Sequence, residues 1–94
     1  MLILSRKLGE SVVINDLIIT VDSFTADHSV LSLMRTNCEF LQKVTAPFHK
    51  TVEITDHVRA VMIQAEPHRV RLGFHLPPDY SIARWEVWDP QKGW

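Results

Sequence analysis

The residues best suited to chemistry stand near the two ends of the chain. Arg6 and Lys7 close the apolar opening Met-Leu-Ile-Leu-Ser-Arg-Lys, and Arg84 stands two residues before Glu86. A guanidinium can grip a phosphate through two parallel hydrogen bonds, and a lysine ammonium adds a compact point charge. The plainer alternative for Arg6 and Lys7 is a solvated strand flank. For Arg84 and Glu86 it is a surface ion pair worth under ~1 kcal/mol. Trp85, Trp88 and Trp94 lie close by in sequence. Indole rings stack on bases at ~1–3 kcal/mol per base, or they pack a core or an interface patch, and packing is the reading we favour.

Other chemistry is scarce. The five histidines (28, 49, 57, 68 and 75) show no metal-ligand spacing, and Cys38 is the only cysteine. It can form neither an internal disulfide nor a zinc knuckle. No nucleophile has a matched base, and three glycines offer no phosphate-cradling loop. The sequence therefore predicts no metal, no cofactor and no enzyme. With 10 basic and 11 acidic residues the net charge is 10 − 11 = −1, so the total gives no sign of bulk nucleic-acid binding.

These residues must be positioned by strands. Short β-branched and apolar runs at 2–6, 11–14, 17–24, 29–34, 51–54, 57–64 and 69–75 are separated by turn pairs such as Asn15-Asp16, and Pro77-Pro78-Asp79 is a firm breaker. The segment 80–88 alternates over part of its length and reads as a strand or, in part, a helix. This rhythm predicts an all-β sandwich or barrel. Ninety-four residues allow one small domain, in which a partner subunit would add useful burial. No apolar run approaches the ~20 residues of a membrane helix. The opening is apolar first and basic after, the reverse of a signal peptide, so the expected compartment is the cytoplasm.

A shift of 40 residues superposes 11–36 on 51–76 without gaps. Six of the 26 pairs are identical: Val12/Val52, Ile14/Ile54, Asp16/Asp56, Val21/Val61, His28/His68 and Val30/Val70. This predicts two copies of one strand–turn–hairpin unit. Segment 41–50 would then serve as both the end of copy one and the start of copy two. It has lost the cations, since Arg6 and Lys7 correspond to Ala46 and Pro47.

The end motifs resemble the carbon storage regulator (CsrA/RsmA) family of bacterial messenger-RNA-binding proteins. The opening Leu-Ile-Leu-Ser-Arg-Lys-Leu-Gly-Glu is similar to that family's Leu-Ile-Leu-Thr-Arg-Arg-x-Gly-Glu. Arg71-Leu72-Gly73-Phe74, Leu76-Pro77-Pro78-Asp79 and 81–87 resemble its closing strand, turn and strand. The resemblance covers about 1–16 and 51–88 and leaves 17–50 as an inserted, repeat-like hairpin segment within a single domain 1–94.

The resemblance implies small antiparallel sheets in an interlocked homodimer, the favoured arrangement; the repeat-like middle segment, with its cations lost, leaves a single-chain pseudo-dimer with one site as the alternative. It implies an RNA-binding regulator that recognises GGA-containing mRNA loops and controls translation or message stability. In that reading Leu4 and Ser5 offer backbone groups to base edges, Arg6 and Lys7 contact phosphate, and Ser81, Ile82 and Ala83 lend further backbone groups. Arg84 is the principal arginine and Glu86 the acid that orients it. Implied partners are mRNA, regulatory RNA and a protein antagonist, with no membrane. The alternative is a protein-binding module of the same fold that has lost its RNA surface, with Trp85 and Trp88 facing the partner.

Overall fold

Alternation of apolar and polar residues, broken by short turns, sets the architecture. A computed structural model describes residues 1–84 of the chain. Among them lie β1 (Leu2–Arg6), β2 (Ser11–Ile14), β3 (Leu17–Phe24), β4 (His28–Arg35), β5 (Phe40–Pro47), β6 (Thr51–Thr55), β7 (Val58–Ala65), β8 (Val70–His75) and β9 (Ile82–Arg84). They form two antiparallel sheets, a four-stranded one in the order β1-β8-β7-β6 and a five-stranded one in the order β5-β4-β3-β2-β9. The class is all-β, as expected. No helix among the described residues is long and apolar enough to cross a membrane.

One core joins the sheets. Val12 and Ile14 of β2, Leu17, Ile19 and Val21 of β3, and Leu31 and Leu33 of β4 meet Val58, Ala60 and Met62 of β7 and Val70, Leu72 and Phe74 of β8. Each row follows the two-residue period of a strand, and full burial of such side chains contributes about 1.5–3 kcal/mol apiece for the larger ones.

The strands of each half are exchanged between the sheets. β1 pairs with β8, with Leu4 opposite Leu72 and Arg6 opposite Val70. β9 pairs with β2, with Ile82 opposite Ile14 and Arg84 opposite Val12. The first strand is thus sealed by the second meander, β6-β7-β8, and the last by the first meander, β2-β3-β4.

The two meanders are built alike, but not at one constant offset. Val12 opposite Ile19 matches Val52 opposite Ala60. Ile54 then falls in a bulge between Glu53 and Thr55, and from there the offset is 41. Leu17, Ile19 and Val21 face the core as Val58, Ala60 and Met62 do, and bulges follow in both strands at Asp22 and Ile63. A one-residue slip turns every side chain to the opposite face. The identities Val21/Val61 and Val30/Val70 are therefore not structural equivalents, because Val21 and Val70 face the core and their supposed mates do not.

The double role expected of segment 41–50 is half met. β5 pairs with β4 as β1 pairs with β8: Val44 opposite Leu31 matches Leu4 opposite Leu72, and Ala46 opposite Ser29 matches Arg6 opposite Val70. β5 is thus a first strand of copy two. No described strand lies beyond β6, where an end strand of copy one would pair.

Candidate nucleic-acid interface

The sheet order decides which strands can share a surface. β5 packs beside β6 and β7, so the opposite margins, β1 in one sheet and β9 in the other, fall on the same side of the sandwich. Both are edge strands among the described residues, and an edge strand presents unpaired backbone N–H and C=O groups. β1 and β9 both reach β2 at neighbouring residues. Arg6 Nη1 donates to Ser11 O at 3.3 Å, and the neighbouring Val12 lies opposite Arg84.

Arg6 does not project into solvent as expected. It is 6% exposed and faces inward, in the row of Leu4. Its Nε donates to Ser5 O at 2.8 Å, and Glu10 Oε1 lies 3.9 Å away. Strand alternation dictates this: with Leu4 packed on the core, position 6 points the same way. The guanidinium therefore caps the open end of the core and ties β1 to β2.

The turn after β1 fixes that geometry. Glu10 N donates to Lys7 O at 3.0 Å, and Gly9 has φ 80°, the left-handed third position of a type II turn. Gly9 N and Glu10 O both bond Val21, at 2.8 and 3.1 Å, so two residues face one in a glycine bulge. Glu10 Oε1 also accepts from Lys7 N at 2.7 Å.

The other half of the surface hangs on Asn15, which the sequence reading passed over. Asn15 N donates to Ser81 O at 3.0 Å, while its Oδ1 accepts from Ser81 N at 3.0 Å and Ser81 Oγ at 3.3 Å. Asn15 has φ 54°, a conformation that asparagine tolerates better than most residues. This clamp delivers Ile82, Ala83 and Arg84 to β2 in register, with Ala83 8% exposed. Glu86, Trp85, Trp88 and Trp94 lie outside the described residues.

A groove of about 550 Å³ runs along β1. Ile3, Leu4 and Ser5 line it with Arg6, Lys7 and Glu10, and Arg69 and Arg71 enter from beside β1. Ser5 lies opposite Arg71. Arg69 and Arg71 were missed as site residues. Their signal was charge alternating with the buried Val70 and Leu72 on the strand that receives β1, which becomes legible only once that pairing is known. Arg69 Nε pairs with Glu66 at 2.9 Å. Lys7 and Arg71 side chains make no ion pair among the described residues.

Among the described residues, no group of three or more His, Cys, Asp or Glu side chains is placed to hold a metal ion. Comparison with protein-family models, with curated proteins and with solved structures yields no match.

Proposed function

We propose that this protein is an RNA-binding post-transcriptional regulator that recognises GGA-containing loops of mRNA through one composite surface made by β1 and β9. The observation that carries the reading is that β1 and β9 both reach β2 at neighbouring residues: Arg6 Nη1 donates to Ser11 O, and Arg84 lies opposite Val12 in the β9–β2 register. Those two strands lie within the opening and closing motifs that resemble the carbon storage regulator family. Leu4 and Ser5 supply edge-strand backbone groups to splayed bases, as do Ser81, Ile82 and Ala83. Lys7 meets phosphate, Arg6 holds the surface together, and Arg84, oriented by Glu86, supplies the decisive contact.

Strand exchange within one chain supports a single-chain pseudo-dimer with one RNA site, over a homodimer with two. Light scattering tests this directly: a particle of 10.9 kDa is expected, and twice that mass would favour the homodimer. The function is tested by titrating a GGA hairpin and a scrambled hairpin with the wild-type chain and with Arg84→Ala. A preference for GGA is expected, with at least a tenfold loss in Arg84→Ala and an unchanged thermal melt. Equal affinity of the wild-type chain for both hairpins would discard the reading and leave the protein-binding module.

A further inference from the structure

The internal two-fold likeness of this chain supplies its own control for which charges the fold requires. The end of the sandwich closed by β1 and the turn 7–10 has a counterpart closed by β5 and the turn 47–50. Lys50 N donates to Pro47 O as Glu10 N does to Lys7 O, and His49 N donates to Met62 O as Gly9 N does to Val21 O. Pairing then places Pro47 at the position of Lys7, His28 at that of Arg69 and Val30 at that of Arg71. The same architecture is thus built once with three cations and once with none of them. The architecture therefore does not require cations at the positions of Lys7, Arg69 and Arg71.

We infer that Lys7, Arg69 and Arg71 form a phosphate track that holds the single-stranded RNA flanking the recognised loop. This rests on the RNA reading above and extends it from β1 onto β8. Arg69, the residue before β8, and Arg71 stand two residues apart, about 6.7 Å for extended backbone, a step that suits successive phosphates of an extended chain. Both are exposed, and Glu66 engages only Nε of Arg69 in the recorded ion pair. Across the pairing, Ser5 lies opposite Arg71, so a strand laid over β1 brings bases to the backbone edge and phosphates to the cations. The chain's near-neutral net charge is no obstacle, because the field that matters is local and the opposite end lacks these charges. A polyanion with regularly spaced charges fits this row; an acidic protein partner is the competing outcome of the test.

The test compares the wild-type chain, Lys7→Ala/Arg71→Ala, Arg84→Ala and Lys50→Ala against a GGA hairpin with and without single-stranded flanks, at two salt concentrations. The double variant should weaken the flanked hairpin about tenfold and the flankless one distinctly less, because only the Lys7 phosphate contact is lost there. It should also lower the salt slope by about 1.4, the value for two phosphate contacts on a single strand. Lys50→Ala should match wild type. Flanked binding unchanged in the double variant, while Arg84→Ala loses affinity, overturns the track and leaves the RNA reading standing. No RNA binding by the wild-type chain overturns both. Competition by polyglutamate as effective as by a single-stranded RNA of equal charge overturns the track in favour of an acidic protein. Exposed Lys7 and Arg71 have no recorded ion pair to lose, so equal thermal melts should accompany these results.

Discussion

The β1 end and the β5 end solve one structural problem with different residues. Each closes the sandwich with an edge strand and a turn whose third residue has positive φ and donates its N–H to a core-facing residue two strands further on. At one end the inward position is Arg6, 6% exposed; at the other it is Ala46, 0% exposed. At one end the left-handed residue is Gly9, at φ 80°; at the other it is His49, at φ 60°. At the β1 end an outward row holds Ile3 opposite Gly73, while the matching β5 row holds Lys43 opposite Ser32. Lys43 Nζ is neutralised by Asp22 at 3.1 Å, whereas Lys7 and Arg71 make no ion pair among the described residues. The difference teaches that this fold tolerates either chemistry, and that it can be closed without cations at the positions of Lys7 and Arg71.

The comparison breaks most visibly at Arg6. Arg6→Ala makes the β1 end resemble the β5 end, where alanine is well packed. Yet the two ends differ in what surrounds that position. Removing the guanidinium strips Ser5 O and Ser11 O of a charged donor and opens the end of the core. A loss of about 2–3 kcal/mol is expected in urea unfolding, within the range for hydrogen bonds to charged groups. A loss below about 0.5 kcal/mol would show that the β1 end tolerates alanine as readily as the β5 end does, and would release Arg6 for ligand contact.

The two turns give a smaller and signed effect. Gly9→Ala forces a Cβ into the left-handed region, although no atom lies within 4 Å of where that Cβ would sit, so about 1 kcal/mol should be lost to backbone strain alone. His49→Gly should relieve the same strain, but it also deletes the stack on Phe48 at 3.8 Å and the contact of Nε2 with Ile63 O at 3.1 Å. The net change at His49 should be under about 0.5 kcal/mol in either direction. Equal losses at both turns in paired denaturation curves would refute the equivalence of Gly9 and His49.

Much of this was legible in the residues, and the reasons are specific. Period-two runs bounded by Asn15-Asp16 and Pro77-Pro78 marked the strands, because a half-buried sheet face leaves that imprint. The merged segment 41–50 was identified by its matching Arg6 and Lys7 to Ala46 and Pro47, which the pairing of β5 with β4 reproduces. Three things were not legible. A bulge leaves no mark in a list of identities, so the offset of 40 ran past Ile54 into pairs that face opposite ways. Inward or outward orientation at a strand end depends on register, so Arg6 looked exposed from its type alone. The contribution of Asn15 and Arg71 depends on neighbours 66 residues away in one case and across the β1–β8 pairing in the other.

The smallest predicted effect tests how the β5 end disposes of its cation. Ser32 Oγ donates to Asp22 Oδ2 at 2.6 Å, and this hydrogen bond, together with the Lys43 ammonium, holds the Asp22 carboxyl below its ordinary value against the opposing effect of burial. A carboxyl lowered in the folded state stabilises the fold above its unfolded pKa, and that contribution is lost as pH falls through the lower folded value. Asp22→Asn should therefore cost under about 1 kcal/mol at neutral pH, as expected for a partly exposed pair. The gap between wild type and variant should narrow as pH falls below about 4 and close once the wild-type carboxyl is itself neutral. Urea midpoints of both proteins across that range measure it. A gap that stays constant down to pH 2 would assign the effect to packing rather than charge. The β5 end would then owe nothing to neutralisation, and the contrast with Lys7 and Arg71 would lose its electrostatic half.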